Sequence, residues 1–307
     1  MLDRIAGMQV FARVAALGSF SAAARALGMS PAMATKHVDA LEDRLGTRLF
    51  FRSTRKLTLT EAGQRHLQAT ERILAEIEEA EAAASADVAE PRGTLRINAP
   101  LAFGLRQVMP AIVDFAALYP ALTIDIGLTD RFVDLIDEGW DVAIRLGTLR
   151  DSSLIARRLA PIRVALCAAP AYLAAHPAPK TIADLAGHNC LGYTLPTLAS
   201  AGRWLFGEDG SIAVPVRGTL IVNNGDALRD AAVAGQGLIH QPTFIVADDI
   251  RAGRLVPLAL DHPLPRGAAH AVYAGGRQPP AKVRLLIDFL AQRWRDAPWD
   301  DGLLQLG

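Results

Sequence analysis

"FSAAARALGMSPAMATKHVDALEDRLGTRLF", residues Phe20–Phe50, sets two short alanine-rich segments on either side of Gly28-Met29-Ser30. The second segment has a clear helical grammar. Ser30 can cap a helix whose first position is Pro31, where a missing N–H removes no bond. Ala34, Val38, Leu41 and Leu45 then recur by steps of four, three and four, which is one face of a 3.6-residue period, and Gly46 stops the run. Thr35, Lys36 and Asp39 point elsewhere. The first segment reads as a helix capped by Ser21 that buries Phe20, Ala23, Ala24 and Leu27. Upstream, Met8, Phe11, Val14, Ala15 and Leu17 mark another helix, ended by Gly18. Small alanines let two helices cross closely, as a helix-turn-helix requires.

Beyond Gly46 the pattern changes period. Leu49 and Phe51, then Leu57 and Leu59, alternate as two strands around the basic turn Arg52–Lys56, a small wing. Thr60-Glu61-Ala62-Gly63 opens a long helix running to about residue 89, with a thin stripe of Leu67, Leu74, Ile77 and Ala84. Such near-heptad spacing predicts pairing with a second copy of the same helix. The zero net charge of the 307 residues hides a division. Residues 1–66 carry ten Lys/Arg against five Asp/Glu, whereas residues 67–90 carry one against seven. A basic head suits a polyanion, because each neutralised phosphate releases counterions.

A recognition helix needs compact or hydrogen-bonding side chains near its start to enter a major groove. Ser30, Pro31, Ala32, Thr35, Lys36 and His37 supply them, with Lys36 long enough for a guanine edge or a phosphate. Ser21 can hold a phosphate at the preceding helix start. Arg52, Arg55 and Lys56 on the wing suit the backbone or a narrow minor groove. The whole run from Ser19 to Gly63 resembles the winged helix-turn-helix of LysR-type transcriptional regulators, whose signature it follows at nearly every position. The resemblance implies base contacts from Pro31, Ala32, Thr35 and Lys36, with Arg55 on the wing. Thr35 stands where the family usually has Ser, and His37 where Gln is frequent, so operator preference is expected to differ.

"AEPRGTLRIN" (89–98) breaks the long helix before a new architecture. Strands are expected at 123–128, 141–146, 164–169, 218–224 and 237–241, and helices at 105–119, 226–235 and 244–253. A last strand and helix follow near 268–276 and 281–294. This alternation predicts a mainly parallel sheet covered on both faces. The fold class is thus α/β with an N-terminal all-α winged helix-turn-helix. Expected divisions are a head at 1–60, a linker helix at 61–90 and a body at 91–307. The resemblance implies that the body is two Rossmann-like lobes like those of a periplasmic solute-binding protein, lobe one at 93–161 plus 267–295 and lobe two at 162–266.

In such lobes ligands sit at strand carboxyl ends and helix starts. That rule nominates Pro100 and the amides of Leu101, Ala102 and Phe103, then Thr129, Arg145, Asn223, Asn224 and Gln241. Together they suit an anionic or carbonyl-bearing effector. Each has a plainer role available: Asn224-Gly225 can simply turn the chain, and Arg145 can pair with Asp141 or Asp130. Ala99-Pro100-Leu101-Ala102 carries none of the hydroxyls that many relatives place after the first strand, which favours a larger or less polar effector.

Catalysis finds little support. The seven histidines are scattered without metal-ligand spacing, and no nucleophile elbow or phosphate loop occurs. His240 reads as a core histidine. Cys167 and Cys190 read as buried thiols of a reducing compartment. The first residues lack a signal-peptide layout and no apolar stretch is long enough to cross a bilayer, so a cytoplasmic address is expected. Expected partners are double-stranded promoter DNA, a small-molecule effector, a second copy of the chain, a dimer of dimers and RNA polymerase, with no membrane and no cofactor. The competing readings are a solute-binding protein oligomerised by its N-terminal helices, which leaves the basic wing unexplained, and an enzyme on the same scaffold, which lacks its residues.

Overall fold

The computed structural model describes residues 3–52, 57–84, 91–147, 149, 153–194, 199–200, 202–275 and 279–301. The chain divides at Gly93/Thr94 into two compact units.

The first unit opens with α1 (Arg4–Leu17), α2 (Phe20–Ala26) and α3 (Pro31–Leu45). The antiparallel hairpin β1 (Phe50–Arg52) and β2 (Leu57–Leu59) follows, then the 24-residue α4 (Glu61–Ala84). Its core joins Val10, Phe11 and Val14 of α1, Ala23 and Ala24 of α2, and Ala34, Val38 and Leu41 of α3 to Leu49 and Phe50. The sequence reading needs four corrections here. Ser19, not Ser21, caps α2, its Oγ accepting from the Ala22 amide at 3.3 Å. Val10 belongs to the core and Leu17 is exposed. Phe50 turns inward and packs on Phe11 and Phe20, leaving Phe51 64% exposed. The buried face of α3 is Ala34, His37, Val38, Leu41 and Glu42, with Leu45 outside it. That spacing (i, i+3, i+4, i+7, i+8) is the full-width stripe of a core-facing helix, which apolar residues alone concealed.

Glu42 explains the stripe. Its carboxylate is buried, and Oε1 accepts from the amides of Leu49 (2.8 Å) and Phe50 (3.2 Å) while Oε2 accepts from Arg48 (2.7 Å). A second clasp closes the hairpin at its other end. The Thr60 amide donates to the Leu49 carbonyl (2.9 Å), its hydroxyl donates to the Arg48 carbonyl (2.8 Å), and that same oxygen accepts from the Gly63 amide (2.9 Å). Gly63 must stay bare, since a Cβ there would lie 2.1 Å from the Leu49 carbonyl oxygen.

Among the described residues the second unit holds three sheets. The first is five-stranded, in the order β4 (Leu122–Leu128), β3 (Gly93–Ala99), β5 (Val142–Leu146), β15 (Gly267–Ala274), β6 (Leu154–Ile162). Strands β3 and β5 are parallel, but β15 runs antiparallel to both its neighbours. The second sheet sets β7 (Val164–Ala168) between β13 (Ile239–Pro242) and β14 (Val256–Pro257), all antiparallel. The third orders β11 (Ile212–Pro215), β10 (Arg203–Phe206), β9 (Ala199–Ser200), β8 (Gly192–Tyr193), β12 (Ile221–Val222), parallel only at β8. The body is therefore α/β with mixed sheets rather than a mainly parallel one. Unexpected strands are β6, an Arg-rich edge with an exposed middle, the β10–β11 hairpin around Gly207–Gly210, and the short β8, β9 and β14. Helices are α5 (Leu101–Phe103), a π-helical turn Gly104–Val108, α6 (Met109–Leu118), α7 (Pro170–Ala175), α8 (Gly225–Val233), α9 (Thr243–Arg251) and α10 (Ala281–Arg293). One apolar cluster spans both predicted lobes, with Phe103 edge-on to Phe244 (5.0 Å), Trp294 (5.2 Å) and Trp299 (5.6 Å).

Cys167 and Cys190 are both buried, and burial pushes both thiols up, Cys190 to about 12. His240 is a core residue between Trp204 and Phe206.

Two predictions follow from this packing. Glu42→Ala leaves two buried amides without an acceptor and should lower the opening free energy of the first unit by about 2–4 kcal/mol. Glu42→Gln keeps an acceptor oxygen and should lower it by less than half as much; hydrogen exchange at Leu49 and Phe50 in the full chain measures both. Burial holds the His240 imidazole down at about 4. The unfolded chain takes up that proton first as pH falls, so the contribution is complete above about pH 6.5 and is lost toward pH 4, by about 3 kcal/mol. His240→Gln should remove about one proton from the pH slope of urea unfolding in that window.

Candidate nucleic-acid interface and effector cleft

The exposed side of α3 is built from its start. Ser30 Oγ accepts from the Met33 amide at 3.2 Å, Pro31 takes the first position, and Pro31, Ala32, Met33 and Lys36 all face solvent. Thr35 is half-buried and its hydroxyl donates to the Pro31 carbonyl at 3.0 Å, which fixes its oxygen at the rim of that surface. The inward side of the same helix is the core stripe, so its outward residues cannot rotate away. His37 departs from the expectation: it is 7% exposed and packs inward, so its ring does not belong to the outer surface. Ser21 is exposed in the first turn of α2, where its hydroxyl is free of the capping role that Ser19 performs.

Arg52 ends β1 opposite Leu57. Arg55 and Lys56 lie outside the described residues. Sequence reasoning missed Glu42, Thr60 and Gly63, the groups that hold the hairpin against α3. Their signal was present as a buried-phase Glu in "ALEDRLG" and as Thr-x-x-Gly in "LTEAG".

In the second unit the candidate cleft residues fall into two groups. In lobe one Pro100 precedes α5 without a side-chain bond, and the Leu101 amide is already taken, donating to Asp130 Oδ1 at 3.0 Å. The chain's own carboxylate thus stands where an anion was expected. Ala102 and Phe103 are buried, and Phe103 contributes its ring to the core. The Thr129 amide donates to the Ala99 carbonyl (3.0 Å), and its Oγ1 accepts from the Arg131 amide (3.2 Å). Arg145 pairs with neither Asp141 nor Asp130. Its guanidinium donates to the Val133 carbonyl (3.0 Å) and to Asn98 Oδ1 (3.4 Å) and lies over the Phe132 ring at 4.8 Å. Burial holds it below the ordinary arginine range.

In lobe two Asn224 caps α8, its Oδ1 accepting from the Ala227 amide at 3.0 Å, while Asn223 is exposed beside it. Gln241 is buried on β13, with Oε1 against Gly225, where a Cβ would meet it at 2.9 Å. The groups that join the lobes were not foreseen. Arg106, in the π-helical turn, donates to Asp226 Oδ1 through Nε (2.9 Å) and Nη2 (2.5 Å). Burial and the neighbouring Asp226 raise the Asp130 carboxyl. Burial, Asp130 and Asp226 push the Tyr193 hydroxyl up to about 12. Asp226, an acid in the first turn of α8, was the legible clue.

Two known domain families match the chain. Residues 5–64 match the bacterial regulatory helix-turn-helix protein family, lysR, and residues 89–295 match the LysR substrate binding domain. The transcriptional regulator DmlR of Escherichia coli K12 is 36% identical over 286 residues, covering 93% of this chain and 92% of DmlR. CrgA of Neisseria meningitidis serogroup C is 33% identical over 93% of this chain and 95% of its own length. A solved structure of Neisseria meningitidis CrgA superposes with a TM-score of 0.60 at 31% identity, covering 95% of this chain and 99% of that one. These relatives are named regulators, not enzymes. The chain belongs to the LysR family of DNA-binding transcriptional regulators, in which a helix-turn-helix head binds DNA and an α/β body binds an effector.

Proposed function

We propose that the outward start of α3 reads the major groove of a promoter through Pro31, Ala32, Thr35 and Lys36, and that Ser21 and Arg52 hold the flanking phosphates. The observation that carries this reading is the capped, proline-started helix whose polar side faces solvent while its other side is locked into the core. Arg55 and Lys56, which follow Arg52 in the sequence, are proposed to add phosphate contacts. Helix α4 pairs with that of a second copy along Leu67, Leu74 and Ile77, giving two heads for a pseudo-palindrome, and two dimers assemble into a tetramer. The protein works in the cytoplasm without a cofactor. A head at 1–60, a linker at 61–90 and a two-lobed body are the working divisions.

The effector sits between the lobes. Since Asp130 occupies the Leu101 amide, the effector's acceptor group turns to Arg145 on lobe one and Asn223 on lobe two, with Phe132 stacking on a flat portion. Its arrival changes the lobe angle, the bend of the promoter and the access of RNA polymerase. Both cysteines are buried and held as thiols, which favours a bound metabolite over thiol oxidation as the signal.

Binding to the chain's own upstream intergenic DNA, followed by fluorescence anisotropy, tests the head. Lys36→Ala and Thr35→Ala should relax sequence preference, each lost base contact costing about 1–3 kcal/mol. Arg52→Ala should weaken all sequences alike and reduce the log–log salt slope by about one. Failure to shift that DNA at low salt would overturn the reading. For the body, a thermal-shift screen of aromatic and carboxylic metabolites supplies the effector; Arg145→Ala and Asn223→Ala should then lose the effector response while retaining operator affinity. Loss of operator binding in both variants would assign them a structural role instead.

A further inference from the structure

The outward start of α3 carries one large apolar side chain. Met33 is 42% exposed and stands with Pro31, Ala32 and Lys36 on the side that faces solvent. The apolar residues that α3 gives to the core are Ala34, Val38 and Leu41, and Met33 lies outside that cluster. Met29, in the turn before α3, is partly buried against the same core. The fold thus covers one of two neighbouring methionines and leaves the other bare.

The backbone under Met33 is fixed. Its amide donates to Ser30 Oγ at 3.2 Å, the capping bond of the helix. In an α-helix each Cα–Cβ bond tilts toward the N-terminus, so this side chain leans over the first turn, the end that enters a groove. Lys36, three residues on, is its neighbour on the helix surface and keeps that flank basic. The base edges of a major groove present N–H donors, N and O acceptors and one apolar group, the thymine C5-methyl. A thioether donates nothing and accepts only weakly, so among these groups it matches the methyl.

We propose that Met33 reads a thymine in each half-site, its thioether closing over the C5-methyl beside Lys36. This rests on the major-groove reading of α3 given above, and adds to it a further residue and the base that residue selects. Pro31 and Ala32 are also apolar, but a ring closed onto the backbone and a single methyl have little reach, whereas methionine extends Cγ, Sδ and Cε beyond Cβ. Its unbranched, polarisable chain follows the methyl without needing a rigid fit. A cytosine at the same step lacks the methyl and sets its N4 amine beside a side chain that offers only a weak acceptor, so it is disfavoured twice.

A hydroxyl-radical footprint of the full chain on its own upstream intergenic DNA locates the protected thymines. Each is then replaced by deoxyuridine, which removes the C5-methyl and keeps the base pair, and affinity is followed by fluorescence anisotropy. At one thymine per half-site the replacement should weaken the native chain about fourfold, the contribution of one buried methyl group. The same replacement should change binding by Met33→Ala and Met33→Gln less than about twofold. Met33→Gln keeps the length of the side chain with a polar end, which separates apolar contact from bulk, and both exposed substitutions should leave the unfolding temperature unchanged. If the native chain binds the duplex and no thymine shows the penalty, the proposal is overturned while the groove reading stands. A penalty that persists in either variant overturns it as well, and assigns the methyl to Pro31 or Ala32. No binding to that DNA at low salt sinks the groove reading itself, and this proposal with it.

Discussion

One buried carboxylate organises the head. Glu42 projects from the inner side of α3 and receives the amides of Leu49 and Phe50 at the start of β1, so α3 and the hairpin become one body. Without an acceptor those two amides would be buried donors, each disfavoured by about 1–3 kcal/mol, and the strand would have no reason to begin at Phe50. Once β1 is pinned there, Phe50 must turn inward onto Phe11 and Phe20, and Phe51 must face out. Thr60 and Gly63 then bind the same turn of chain, Arg48–Leu49, from the start of α4. The core stripe behind α3 sets the direction in which it presents Pro31, Ala32, Thr35 and Lys36, and these few polar contacts fix the hairpin beside that helix.

The helices, caps and turns of the head were legible because they are local. Ser30-Pro31 and Gly46 announce the ends of α3 in any context. What was not legible was which polar residues turn inward. His37 and Glu42 occupy core phases of α3, yet residue type alone assigns them to solvent. The Ser19/Ser21 choice failed for a similar reason, since both can cap and only the packing of Phe20 selects the frame. In the body, α8, α9 and α10 were readable from their periodicity. Strand β6 was not, because an edge strand carrying Arg157 and Arg158 and ending beside Pro161 has no apolar alternation to display. Missing it also concealed the antiparallel pairing of β15, and with it the mixed character of the sheet.

The cleft shows the same limit in electrostatic form. A helix start is attractive to an anion because its first amides lack partners. Sequence can locate such a start at Leu101, but it cannot show that a carboxylate 29 residues further on arrives there first. Likewise Asn224 was recognisable as a turn residue, while its capping bond to Ala227 emerges only when α8 is placed. Both helix starts at the cleft are thus neutralised by the chain itself, one by Asp130 and the other by Asn224 with Asp226 in its first turn.

This self-neutralisation bears on how a ligand could change the protein. Arg106 and Asp226 bridge lobe one to lobe two while both remain about three-quarters buried, and Arg229 also approaches Asp226 at 3.5 Å. A largely desolvated pair contributes little net stability but is costly to leave half-made, so it favours discrete arrangements over a continuum. The π-helical turn that aims Arg106 is the kind of local irregularity a helix retains where it meets a functional demand. An effector need not pull the lobes together unaided. It needs only to bind better to one arrangement of this bridge than to another, and the difference in those affinities sets how far the population shifts. The polar contacts between the lobes, rather than the shared apolar cluster around Phe103, are therefore where ligand chemistry can be converted into a change of shape.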